Sequence, residues 1–136
     1  MIVDTSALLE LFAARTQAEE IASVLIDADT AKTSAVCVLE TASILRQTDG
    51  PESVERFLTF LIQQKIKIIP FDGDQLLAAL LGDANFSSNE PGQTNRNLRL
   101  AELATYGLAK HLGEPVLHSN AKLAATDLVS AGDDSL

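Results

Sequence analysis

Four carboxylates stand out for what surrounds them: Asp4, Glu40, Glu102 and Asp127. Asp4 closes the apolar run Met1-Ile2-Val3, which places it at the end of a buried strand stub. It either caps the helix that follows or serves as a hard-metal ligand or catalytic acid. Glu40 is the only charge between Ala35 and Leu45, in a helix whose other residues favour burial. Burying an unpaired carboxylate is costly, so Glu40 must reach water, a cation or a metal. Glu102 lies in an apolar helix three residues after Arg99, a spacing that also suits a plain surface pair. Asp127 follows Thr126 near the last strand, where an ordinary turn or cap aspartate would also stand.

If the fold gathers these acids, the occupant they suit is Mg²⁺ or Mn²⁺, which take oxygen ligands and waters. The chemistry is then hydrolysis of a phosphodiester, the ion activating water and stabilising charge on the phosphate. Other chemistries drop out. His111 and His118 fall in different predicted elements without a matching Cys or Glu for zinc. The seven glycines are scattered, so no phosphate-cradling loop is present. Cys37, the single cysteine, sits in an apolar helix and reads as core. Ser6 and Ser34 have no His and acid in a recognisable arrangement.

The elements that must position these residues follow from apolar spacing and from breakers. A strand stub at 1–4 leads into a helix through Phe12, capped by Thr5 or Ser6. A second helix is predicted over 17–27, with Ile21, Val24 and Leu25 at helical spacing. A short strand at 32–34 ends in Ser34, which can cap the helix over 35–47. Asp49-Gly50-Pro51 is a stop, and Pro51 opens a helix to about Gln64. Residues 65–71 read as a strand, 74–81 as a helix, and 82–97 as a polar, mobile loop. A helix over 98–112 stops at Gly113, a strand follows at 115–117, and a short helix or turn reaches Leu128. The tail 130–136 is expected to be disordered. Strands separated by helices require crossovers, hence a short central parallel sheet with helices on its faces. Ligands of such sheets collect outside the carboxyl ends of the strands, where Asp4 falls.

Composition sets the outer bounds. A chain of 136 residues is one domain, 1–136, and 46% hydrophobic against 21% charged residues is an ordinary globular balance. One cysteine rules out an intrachain disulfide. No apolar run approaches a membrane span and no secretory segment is visible, so a cytoplasmic protein without membrane contact is expected. Nineteen acidic against ten basic residues give a net charge of −9, so no broad basic face for nucleic acid is advertised. Either the chain does not bind nucleic acid alone, or cations or a basic partner neutralise some of its acids.

Taken in order, Met1-Ile2-Val3-Asp4-Thr5-Ser6-Ala7-Leu8, the stretch Ser34–Leu45, the stretch Leu98–Lys110 and the stretch Val116–Leu128 resemble PIN-domain proteins, especially VapC-type toxins of toxin–antitoxin pairs. The resemblance implies a three-layer α/β/α fold, a homodimer, and a Mg²⁺- or Mn²⁺-dependent endoribonuclease neutralised by a cognate antitoxin. It makes Asp4, Glu40 and Glu102 metal ligands and catalytic acids, with Asp127 a nearby fourth acid that orients water or a second ion. Glu102 stands where the family usually has Asp, within Ala101-Glu102 in place of Gly-Asp. The family's Gly-x-Asp-Phe reads Asn120-Ala121-Lys122-Leu123 here, so Lys122 puts a cation where an acid is usual. That lysine either stands electrostatically where a second ion would sit or turns outward. Arg96, Arg99 and Lys122 are the candidate RNA contacts. The same departures allow a second reading, a non-catalytic PIN domain kept as a binding module. A small-molecule α/β enzyme is a third, without any phosphate-binding or nucleophile motif to support it.

Overall fold

The computed structural model describes residues 1–87, 91–92 and 97–132. Its elements run β1 Ile2–Val3, α1 Thr5–Phe12, α2 Ala18–Ile26, β2 Ala31–Ser34, α3 Ala35–Asp49 and α4 Glu52–Gln63. They continue with β3 Ile66–Ile69, α5 Gly73–Phe86, α6 Leu100–Leu112, β4 Val116–Leu117 and α7 Ala121–Ala124. The four strands form one sheet in the order β3-β2-β1-β4, and every pairing is parallel. This is the α/β/α architecture expected, with each strand-to-strand crossover carried by two helices.

Strand residues divide between the two faces with the period of two that a pleat imposes. Val3 and Leu117 join a core with Leu8, Cys37, Leu45 and Phe57 on one face. Ile2 and Val116 pack with Leu108 and Ala109 of α6 on the other. Both faces of β1 are therefore dry, and Ile2 and Val3 are fully buried, as parallel sheets require. Cys37 is core as expected, and burial, reinforced by the charge of Asp4, pushes its thiol up to about 12.

Several boundaries differ from the sequence expectation, each for a physical reason. The cap of α1 is Asp4 itself, whose side chain accepts from the Ser6 N–H; neither Thr5 nor Ser6 takes that position. Ser34 caps α3 as expected, accepting from the Val36 N–H. Helix α5 runs on through Gly82 to Phe86, where a loop is expected from composition. Gly82 does not break it, because a Cβ there would lie 2.5 Å from the Tyr106 ring: the glycine is the contact that brings α5 against α6. Residues 130 and 131, expected in a disordered tail, pair with β4: the Val116 N–H donates to Val129 O at 2.8 Å and the Ala131 N–H to Val116 O at 2.7 Å. The rest of that tail, 133–136, and residues 88–90 and 93–96 of the expected loop lie outside the described residues.

Candidate active site

The strand order turns back at β1, with β2 on one side and β4 on the other. A parallel sheet opens a crevice at such a point, beyond the carboxyl ends of its strands. The residues that leave β1 and β4 there are Asp4, Ser6, Ser119 and Asn120. They line a cleft of about 290 Å³ together with Thr5, Glu10, Arg15, Glu40, Arg99 and Glu102. A larger hollow, about 660 Å³, opens beside Val24, Asp27, Pro115 and Ala131. It lies by the start of β4, away from these acids, and gathers no comparable chemistry.

Asp4 is 1% exposed. Its Oδ2 accepts from the Ser6 N–H at 3.0 Å and the Ser6 hydroxyl at 2.7 Å, and its Oδ1 accepts from the Thr105 hydroxyl at 2.6 Å. The Ser6 oxygen in turn accepts from the Ser119 N–H at 3.0 Å, which ties β4 to this corner. Three neutral donors thus fix the carboxylate, yet among the described residues no cation pairs with it.

Glu102 sits in the first turn of α6 and is 5% exposed. Its Oε1 accepts from the Arg99 backbone N–H at 2.7 Å and pairs with Lys122 Nζ at 3.0 Å. Its Oε2 accepts from the Asn120 amide at 2.5 Å. Burial opposes its ionisation, but the Arg99 N–H, the Asn120 amide and Lys122 outweigh it and hold the carboxyl below its ordinary value. The side-chain pair with Arg99 that the spacing also suited does not form. The Arg99 guanidinium instead reaches Glu40 Oε2 on α3 at 3.0 Å, across the mouth of the cleft.

The fold therefore brings Asp4, Glu40 and Glu102 to one cleft, with Arg99 at its rim and Lys122 turned inward. It does not bring Asp127 there. Asp127 accepts from the Tyr106 hydroxyl and from Lys110 Nζ, both at 2.8 Å, in the later turns of α6. Lys110 is eight residues beyond Glu102, about 12 Å along the helix axis. The reason is the pairing of residues 129–131 with β4, which carries the segment after α7 back toward the start of that strand. Lys110 holds the Asp127 carboxyl below its usual range, while burial and Asp127 push the Tyr106 hydroxyl up to about 12. Arg96 lies outside the described residues.

Sequence reasoning gave no positioning role to Ser6, which it weighed as a cap and a nucleophile, to Asn120, which it placed in the last family block, or to Thr105, and it did not name Arg15, which lines the cleft. Ser6 stands two residues after Asp4, the spacing of a capping aspartate. Thr105 follows Glu102 at i+3, on the same helix face. Asn120 and Arg15 carried no spacing signal.

A hard divalent ion fits this donor set. A carboxylate oxygen has two lone pairs, so Asp4 keeps acceptor capacity beyond its three hydrogen bonds. Thr5 Oγ1, at the same cleft, is buried without a hydrogen-bond partner. Among the described residues no three acidic, His or Cys side chains are gathered tightly enough to enclose an ion. The set thus suits an ion held by one or two carboxylates and otherwise by water, as Mg²⁺ commonly is.

The PIN domain family model matches residues 1–128. Ribonuclease VapC of Mycolicibacterium smegmatis is 25% identical over 130 residues, spanning 96% of this chain and 98% of that protein. Among solved structures, the sarcin-ricin loop cleaving toxin VapC20 of Mycobacterium tuberculosis aligns with a TM-score of 0.74 at 14% identity, over 96% of this chain and 97% of that one. VapBC2 from Rickettsia felis, bound to a DNA fragment from its promoter, aligns with a TM-score of 0.70 at 12% identity, over 95% and 94%. At such identities the structural likeness is one of fold.

Proposed function

The chain belongs to the PIN-domain family, and from that premise we propose that it is a divalent-metal-dependent endoribonuclease of the VapC toxin kind, restrained by a cognate antitoxin. The observation that carries the reading is Asp4: a buried carboxylate at the turn of the strand order, without an ion pair among the described residues, beside a buried hydroxyl without a partner. The relatives named ribonuclease support the activity, and the toxin–antitoxin complexes among the structural neighbours support the partner. The described helices include none long and apolar enough to cross a membrane, and we place the protein in the cytoplasm, where its RNA substrate is.

Asp4 and Glu40 are the residues that would hold Mg²⁺ or Mn²⁺, with Glu102 behind them. A bound ion supplies a Lewis acid for a phosphate oxygen and a more acidic water. The chain's own residues do the rest. Ser6 and Thr105 keep the Asp4 carboxylate in one orientation. Arg99, whose side chain is 61% exposed at the rim, presents a planar fork suited to a phosphate. Lys122 adds a positive charge behind Glu102, with which it pairs. Attack of water on phosphorus opposite the leaving ribose oxygen leaves a 5′-phosphate and a 3′-hydroxyl. Asp127 takes no part; it anchors the C-terminal segment to α6.

Helix α5 supports a homodimer or a broad partner contact, since Leu76, Leu77, Leu80 and Leu81 are 45–65% exposed along it. Soluble proteins rarely leave so contiguous an apolar stripe uncovered.

Expression of the chain alone in a bacterial host tests this reading. The wild type is expected to arrest growth, and Asp4→Asn, which keeps the size of the side chain, is expected to be harmless at equal protein level. Equal arrest by both proteins would contradict it.

A further inference from the structure

Resting on the metal-dependent reading above, we propose that the Lys122 ammonium, paired with the cleft's Glu102, is a built-in substitute for a second cation, so that the site takes one divalent ion, at Asp4, and not two. The two most buried carboxylates of the site are treated differently by their surroundings. Asp4 receives only neutral donors, the Ser6 N–H, the Ser6 hydroxyl and the Thr105 hydroxyl, and its charge is left for a mobile cation to balance. Glu102 receives two N–H donors and an ammonium. Its Oε1 has both lone pairs engaged by Arg99 N–H and Lys122 Nζ, and its charge is already balanced.

Lys122 is held in place rather than passing by. Its Nζ also donates to the Asn97 carbonyl at 3.1 Å, and its side chain is 31% exposed. The short helix that carries it is fastened by Asn120, whose Oδ1 accepts from the Lys122 N–H at 2.9 Å while its amide donates to Glu102. One residue therefore sets both the lysine's backbone and the carboxylate it meets. A second divalent ion at Glu102 would have to expel the ammonium or sit against it, and like charges at such range repel strongly. The ammonium gives the fixed positive charge that a second ion would bring.

Calorimetric titration with Mn²⁺ decides this, on the full chain as the wild type, Lys122→Met and Lys122→Asp, with far-ultraviolet circular dichroism confirming the fold of each. The wild type is expected to bind one equivalent. Lys122→Met is expected to bind one equivalent about tenfold more tightly, because a nearby positive charge is gone. Lys122→Asp is expected to bind two. Two equivalents in the wild type, or identical stoichiometry and affinity in all three proteins, would overturn the role of Lys122 and leave the metal-dependent reading standing. No binding in the wild type would sink that reading, and this proposal with it.

Discussion

At Glu102, burial and hydrogen bonding pull in opposite directions, and the donors win. Its folded pKa lies below the unfolded value of about 4.3, so its contribution to stability is present above that value and is lost as pH falls through the folded one. Replacing it by Gln sets an amide against donors that need an acceptor, at a cost of about 2 kcal/mol near neutral pH. The gap between wild type and Glu102→Gln should hold at about pH 7 and pH 5 and narrow below about pH 4, as urea unfolding would show. A gap that widens on acidification would mean the carboxylate is not stabilised in its ionised form. Asp4 and Glu40 were legible in the sequence because each stands alone among apolar residues. The partners of Glu102 were not. Spacing pointed to the Arg99 side chain, whereas the fold uses the Arg99 backbone and sends the guanidinium to Glu40, 59 residues away in sequence. Asp127 carries the right charge for the cleft, but its direction is set by hydrogen bonds between residues 129–131 and Val116 that no local pattern announces.

Helix α5 packs against α6, the helix that carries Glu102, at Tyr106 and Gly107. This packing depends on two glycines. A Cβ on Gly107 would lie 2.4 Å from the Gln75 carbonyl oxygen, which as backbone cannot swing aside. Gly107→Ala should therefore lower stability by about 2–3 kcal/mol, although alanine is the better helix former by about 1 kcal/mol. Gly73→Ala, where a Cβ meets nothing within 4 Å, is the control and should be neutral or slightly stabilising; thermal unfolding separates the two. Equal behaviour would mean the helices do not approach this closely. Gly82 misled the sequence reading for the same reason. Followed by polar residues, a glycine looks like a stop, and only the Tyr106 ring of the packed helix α6 explains its presence inside one. The alternation of helices and short apolar strands, by contrast, was readable, because burial on both faces leaves strands uniformly apolar.

For the molecule as a whole, a net charge of −9 excludes the diffuse phosphate grip on which many RNA-binding proteins rely. Among the described residues the cationic groups at the cleft are few, Arg15 and Arg99 on its wall and Lys122 paired with Glu102, and they stand among four carboxylates, Asp4, Glu10, Glu40 and Glu102. On the proposed reading, a few contacts and an ion at Asp4 would hold the substrate, so cleavage should be selective and wholly dependent on that ion. The most direct measurement is incubation of total bacterial RNA with the purified chain, followed by mapping of the new 5′ ends. The wild type with Mg²⁺ or Mn²⁺ should give a small set of 5′-phosphate ends that vanishes with chelator, returns when the ion is restored, and is missing with Asp4→Asn. New ends that persist under chelation, or that Asp4→Asn produces as well as the wild type, would contradict hydrolysis at this carboxylate cleft.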